Sequence, residues 1–426
     1  MHRFVGLLLL SFAMSTQASA EAKIIGPFGW YWDYGSGYEM PEFPKRKPDK
    51  ATLQTYLQKY IDEPSVFRAF LVSPSANPSQ FEFALREEPY IRQQLQDTSL
   101  ISYLLYENGK IVVDELTPPD RFGSQVTDST PLPSRSVGKS LTGYLLGHAI
   151  CNGYIDSVDA KMSDWDWVND TVYEDQTMID MVNMRAGDQA FASSNRIFIP
   201  GKQERNFRAR PLTTTLRQLK GTKPAERYYN YNDLVVLTLT NYIRYKTGNN
   251  YRQFLTGFLH NKIGTAAPFY VMSIDLIHAE KDGEEGIGAT THNFSASRYD
   301  FLRIARAMLD DWQNDTCEGK YLKTIYERQM RKDTPDKQFQ RELRDPNFHL
   351  PNRLFRNYGG YFHMDLSNTQ KDRHIISLQG FGGQYIWIDF DEGRIVVTNA
   401  IYNDFNWRKI GSDVIRKGKI SSGNWN

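Results

Sequence analysis

Ser134-Arg135-Ser136-Val137-Gly138-Lys139-Ser140-Leu141-Thr142-Gly143-Tyr144-Leu145-Leu146-Gly147-His148-Ala149-Ile150-Cys151-Asn152-Gly153 carries the marks of one continuous helix. Val137, Leu141, Tyr144, Leu145 and Ala149 recur at helical spacing, and Leu146 and Ile150 fall off that stripe. The helix is therefore apolar most of the way round and central to a large core. Asn152-Gly153 is a helix stop. The first turn then carries Ser136 and Lys139 on one face, close enough for the amine to touch the hydroxyl.

Serine attacks poorly until something takes its proton, and a lysine on the next turn can do so when burial or nearby cations keep it neutral. The N–H groups of a helix N-terminus favour negative charge developing there. Ser-x-x-Lys alone says little, since about one chance match is expected in a chain of this length. The competing reading is an N-cap serine followed by a solvated lysine. Gly138-Lys139-Ser140 also ends like a phosphate-binding P-loop, but the glycine that motif needs five positions earlier is Pro133, which has no N–H to offer. Nucleotide binding is thereby excluded.

The chain has 426 residues, with 51 basic and 50 acidic side chains. That length suffices for a sizeable core, and the balanced charge gives no reason to expect nucleic acid or an anionic membrane. Residues 1–20 read as a cleavable export signal: His2-Arg3, an apolar run from Phe4 to Met14, then Ala18-Ser19-Ala20. The run is too short to span a bilayer comfortably, and no later segment approaches a transmembrane length. A periplasmic or secreted protein is expected. Cys151 and Cys317 could pair in such a compartment, but two cysteines give no framework, and two buried free thiols are the default expectation.

Residues 21–50 read as irregular surface structure, followed by a helix over Lys50 to Ile61. Glu82 to Gln96 has a helical pattern that Pro89 should interrupt. Leu100 to Tyr106 and Lys110 to Glu115 flank Glu107-Asn108-Gly109, a hairpin signal. From Asp156 to Met330 the pattern is mainly helical with long loops, with a short helix at Thr177 to Met184 and amphipathic helices at Leu234 to Thr247 and Ser295 to Trp312. The arginine-rich Phe191 to Lys223 reads as a solvated loop. Strands return at Tyr358 to Met364, His374 to Leu378, Gln384 to Phe390 and Arg394 to Ile401, before a closing helix over Asp404 to Lys417. Strands at both ends point to one antiparallel sheet flanked by helices, an α/β (α+β) fold with a large helical region inserted. The central helix then lies where sheet and insertion meet, a usual place for a cleft.

Two further stretches could complete a site on Ser136. Tyr229-Asn230-Tyr231-Asn232-Asp233 precedes the Leu234 helix. The Tyr231 phenol could relay a proton and Asp233 could order it and the lysine. Alternatively this is a Tyr/Asn-rich loop with Asp233 as helix N-cap. Gln379-Gly380-Phe381-Gly382-Gly383-Gln384 opens a late strand, where glycines let backbone approach a ligand, or simply make a hairpin turn. An N–H there, with that of Ser136, would form an oxyanion hole. The eight histidines show no metal-binding spacing, so neither metal nor cofactor is expected. No Gly-x-Ser-x-Gly elbow is present, and His148 reads as a hydrogen-bonded core residue.

Ser136-Val-Gly-Lys139, Tyr231-Asn-Asp233 and Gly380-Phe-Gly382 together resemble the three motifs of the serine β-lactamase and penicillin-binding-protein-like hydrolases. The likeness is nearest the class C branch, with its β-lactamase-related esterases and 6-aminohexanoate-dimer hydrolases. It runs from about residue 98 to 416, with sheet parts at 98–130 and 355–416 and a helical part at 131–354. Residues 21–97 stand outside it as an extension of unknown role, and 417–426 form a tail. The resemblance implies acylation of Ser136, activation by Lys139, proton transfer by Tyr231, and an oxyanion held by the N–H groups of Ser136 and Gly383. Gly380, Gly382 and Asp233 would line the substrate site. Two departures matter: Asp233 stands where Asn or Ser is usual, and Gly380 where penicillin-recognising members carry Lys or His. Both favour an esterase or amidase acting on a small or peptide-like substrate over a β-lactamase or D-Ala-D-Ala-type carboxypeptidase. A catalytically silent binding or sensor protein on the same fold is a further alternative.

Overall fold

The computed structural model describes residues 49–66, 69–193, 212–273, 290–332, 354–369 and 372–420, with short strands at 23–25, 31–33, 196–197 and 205–206. The export signal expected at 1–20 lies outside the described residues. The chain divides into two units, 1–43 and 44–426. In the first, Lys23–Ile25 and Tyr31–Asp33 pair as an antiparallel hairpin. The second carries everything that follows.

Its main sheet has nine strands, and its order explains why the two ends of the sequence look alike. The hairpin Leu100–Glu107 and Lys110–Leu116 joins the C-terminal meander through Arg394–Ala400, which pairs antiparallel with Leu100–Glu107. Asn108 and Gly109 both take positive φ, the backbone that a tight right-twisting hairpin requires. Beyond Arg394–Ala400 come Gln384–Asp389, Ile375–Gly380, Phe362–Leu366, Phe355–Gly359 and Met330–Arg331, all antiparallel. At the opposite edge Glu82–Phe83 pairs parallel with Lys110–Ile111. The expected antiparallel sheet built from both ends is therefore present.

Every residue of Gln384–Asp389 is buried, because both faces of the sheet are covered. Tyr385 and Trp387 point with Val396, Tyr103 and Leu105 toward the helix Pro89–Asp97 and the closing helical segment 408–417, where Ile410, Val414 and Ile415 complete the cluster. Each such aliphatic side chain contributes roughly 1.5–3 kcal/mol by leaving water. The other face meets the inserted helices, among them Arg298–Gln313 and the central helix.

Several local expectations are corrected. Pro89 starts a helix instead of interrupting one, since the first position of a helix needs no N–H. Tyr358 to Met364 is the turn and flanks of a hairpin, broken at Gly360-Tyr361, where both φ values are positive. Residues 295–296 end a strand, Thr290–Ala296, and Ser297 caps the helix that follows. The Phe191 to Lys223 segment, described only in part, contains three two-residue strands and a helix, Leu212–Gln218, with Leu212, Thr215 and Leu216 buried. Cys151 and Cys317 are not free thiols: they form a disulfide across 166 residues. Helix Cys317–Glu327 packs on the C-terminal end of the central helix and brings them together, a contact no local pattern encodes.

Residues 50–97 are woven into both sheets. Phe70–Val72 is one edge of a four-stranded sheet that continues through Phe269–Ser273 and Thr290–Ala296 to Leu132–Pro133. The helix Lys50–Val66 lays buried Tyr60 against Ile401, whose carbonyl accepts from the phenol at 3.3 Å. No helix among the described residues is long and apolar enough to cross a membrane.

Candidate active site

The central helix runs Val137–Cys151 and is buried on every side at residues 137–147. Ser136 occupies its N-cap position with helical backbone angles, φ −69° and ψ −8°, and makes no capping hydrogen bond through its side chain. Its Oγ instead accepts from Lys139 Nζ at 3.0 Å. Lys139 is 1% exposed, so the reading of a capping serine beside a solvated lysine does not hold.

Three other groups surround that amine. Asp233 Oδ1 lies 2.7 Å from Nζ, in a pair whose side chains are 1% and 3% exposed. His292 Nε2 lies 3.2 Å from it. The Tyr231 ring lies on another side, its centroid 5.1 Å away. A dry ion pair of this kind is costly to assemble, and removing either partner alone strands a buried charge.

The backbone explains how these groups meet. Buried Asp188 accepts from Asn230 at 2.7 Å, from Asn232 at 3.0 Å and from Tyr173 at 2.7 Å. Burial pushes the Asp188 carboxyl up, and these donors work against that rise. The asparagines on either side of Tyr231 are thus clamped to one carboxylate, which fixes the loop. Asn232 Oδ1 then caps the helix Asp233–Thr247 by accepting from Val235 N–H at 2.9 Å. The N-cap is Asn232, which leaves Asp233 in the first turn of the helix with its carboxylate on Lys139.

His292 was missed by sequence reasoning. It lies on the strand Thr290–Ala296, in a region whose pattern reads as helical, and a lone histidine carries no motif. The signal that places it is Ser134: its N–H donates to the Phe294 carbonyl at 2.7 Å, and its Oγ accepts from Phe294 N–H at 2.9 Å. His292, two residues before Phe294, shares its strand face. A Cβ on Gly138 would sit 1.8 Å from the His292 carbonyl, so only glycine lets helix and strand come this close.

The third stretch lies against the nucleophile turn. Gly380 ends the strand Ile375–Gly380, and a Cβ there would be 2.6 Å from the Ser134 carbonyl and 3.1 Å from Arg135 Cβ. No larger side chain fits at 380 without displacing the turn that carries Ser136. Gly382 and Gly383 form the turn to Gln384–Asp389, and the neighbours a Cβ would meet there are Ile401 and Tyr60, and Phe405 and Ala400. The Gly383 N–H donates to the Gly380 carbonyl at a long 3.4 Å, and its carbonyl accepts from Thr398 at 3.0 Å. The structure thus brings Ser136, Lys139 and Asp233 into contact, sets Tyr231 beside them, and puts Gly380 at the adjoining wall.

At the far end of the central helix His148 bonds Glu318 at 2.7 Å and stacks on Phe254, the core role expected of it.

No family model and no curated protein matches the chain. Solved structures do. A protein described as a 6-aminohexanoate-dimer hydrolase from Bacillus anthracis superposes with a TM-score of 0.56 at 14% identity, over 86% of this chain and 94% of its own. One described as a β-lactamase from Bacteroides dorei gives 0.51 at 14% identity, over 77% and 93%. The octameric penicillin-binding protein homologue from Pyrococcus abyssi gives 0.51 at 14%, over 78% and 77%. With its three motif stretches gathered at one end of the central helix, the chain has the fold of these β-lactamase and penicillin-binding-protein-like structures.

Proposed function

We propose that the protein is an exported serine hydrolase that cleaves an ester or amide through an acyl-enzyme on Ser136. The observation that carries this reading is the 3.0 Å contact between Ser136 Oγ and a buried Lys139 amine that also meets Asp233. A hydroxyl at a helix start, an amine to handle its proton and a phenol beside the amine are what acyl transfer needs. In this reading Ser136 Oγ bonds to the acyl carbon, its proton passes to Lys139, and Tyr231 hands a proton to the leaving alcohol or amine. The oxyanion is held by the N–H groups of Ser136 and Gly383, the latter giving up its long turn bond. Water then repeats the sequence to release the acid. Export is supported by the apolar N-terminal stretch and the Cys151–Cys317 disulfide, a bond that persists in oxidising compartments.

The crowding at Gly380 leaves no room for a cationic side chain there, which favours a substrate other than a penicillin. Incubating the mature protein with a fluorophosphonate probe and p-nitrophenyl esters, beside Ser136→Ala, tests the reading. Labelling and turnover that vanish in Ser136→Ala are expected. Their absence from the wild-type protein sinks the proposal, and rapid Ser136-dependent turnover of nitrocefin in the same assay overturns the view of Gly380.

A further inference from the structure

An ammonium has three N–H donors and no acceptor. Lys139 Nζ has three polar atoms around it: Asp233 Oδ1 at 2.7 Å, Ser136 Oγ at 3.0 Å and His292 Nε2 at 3.2 Å, the last an acceptor when the imidazole carries its proton on Nδ1. In that tautomer each of the three ammonium N–H groups has an acceptor within reach. An ammonium cannot take the Ser136 proton, so the site as built needs somewhere for one Lys139 proton to go. A carboxylate is a poor store at neutral pH and a serine hydroxyl is none. Imidazole changes charge in that range.

Resting on the serine hydrolase reading, we infer that His292 is a positioning residue that acts through Lys139, holding a proton from the amine so that the amine can accept the one from Ser136. The protons balance throughout. In the resting site the amine is charged and His292 neutral. One proton moves from Nζ to His292 Nε2, leaving a neutral amine, a charged imidazole and the Asp233 carboxylate. Ser136 Oγ then attacks the acyl carbon as its proton moves to Nζ, and that proton leaves through Tyr231 with the departing alcohol or amine. After water has released the acyl group by the same path, His292 returns its proton to Lys139. The imidazole meets Lys139 from the central helix, and that amine in turn meets Asp233 from the next helix and the Tyr231 ring from the clamped loop. Asp233 is integral to this device, because an amide in its place would not favour the charged amine and would make the proton store dispensable.

The test is the pH dependence of kcat/KM for p-nitrophenyl acetate in the wild type, His292→Gln, Asp233→Asn and the double variant, each also labelled with fluorophosphonate. At neutral pH, His292→Gln is expected to lose at least about tenfold, with the rate recovering at alkaline pH so that the acidic limb moves up by about one unit or more. Asp233→Asn is expected to move that limb down, and the double variant to lie between the two. A His292→Gln protein that still labels at Ser136 with an unshifted limb, or loses rate equally at every pH, overturns the inference and leaves the hydrolase reading intact. Should His292→Gln fail to fold, Asp233→Asn decides alone, and an unmoved limb there overturns it. A wild type that does not label sinks the hydrolase reading and this inference with it.

Discussion

The two ends of the central helix hold nearly the same ingredients and put them to different uses. At the N-terminal end a buried lysine meets one carboxylate, one imidazole and one hydroxyl: Asp233, His292 and Ser136. At the C-terminal end Lys262 meets two carboxylates, Asp311 at 2.8 Å and Glu318 at 3.3 Å, while His148 bonds Glu318 and Tyr144 bonds Asp311. There every charge is countered. Burial pulls Lys262 down, but the hydrogen bond and charge of Asp311, with Glu318, hold its ammonium above the ordinary range. Burial likewise opposes ionisation of Glu318, yet His148, a backbone donor and Lys262 bring it down to about 2. The Cys151–Cys317 disulfide closes over that end. Two carboxylates around an amine lock it as a cation. At the other end one carboxylate, one imidazole and one hydroxyl surround the amine, the arrangement that the proposed proton exchange uses.

The comparison breaks most visibly if the wrong lysine is silent. Lys139→Met is expected to cut ester turnover by roughly a thousandfold or more, since on the proposed mechanism it removes the group that takes the Ser136 proton. It should also lower stability by about 3–5 kcal/mol by stranding Asp233 in a dry site, read in urea unfolding. Turnover within a few-fold of wild type would place the chemistry elsewhere. Removing the disulfide with Cys151→Ala and Cys317→Ala should cost about 2–5 kcal/mol in the same unfolding assay, because a closed loop of 166 residues is released in the unfolded chain. Turnover at moderate temperature should stay close to wild type, and a thousandfold loss would erase the distinction between the two ends.

The smallest effect concerns acid. Glu318 titrates near 4.5 in an unfolded chain and at about 2 in the folded protein. Its contribution is therefore present above about pH 4.5 and lost as the pH falls toward 2. The wild-type melting temperature should drop across that window, and that of Glu318→Gln should start lower and fall less steeply. Parallel curves would mean that Glu318 is not held ionised by His148 and Lys262.

How much of this was legible depends on whether the deciding contact is local. The central helix announces itself because its apolar residues cover every side, as burial of residues 137–147 requires. The hairpin at Asn108-Gly109 and the late strands were readable for the same reason: turn chemistry and alternation lie in adjacent residues. Asn232, not Asp233, caps the following helix because Asp188, 44 residues away, clamps Asn232 from the other side. His292 reaches Lys139 across 153 residues, through a strand held in place by Ser134. The strands within residues 50–97 are only two and three residues long, too short to show a pattern of their own, and they are seen only through the partner strands they pair with.

On the proposed mechanism Ser136 Oγ is the atom that acquires the acyl group. Quenching the wild-type protein in acid within the first turnovers of a slowly hydrolysed p-nitrophenyl ester, then mapping its peptides by mass spectrometry, reads that directly. One acyl adduct is expected, on the peptide bearing Ser136, that disappears as the ester is consumed and is absent from Ser136→Ala. An adduct on another residue, or hydrolysis with no adduct at Ser136, would contradict it.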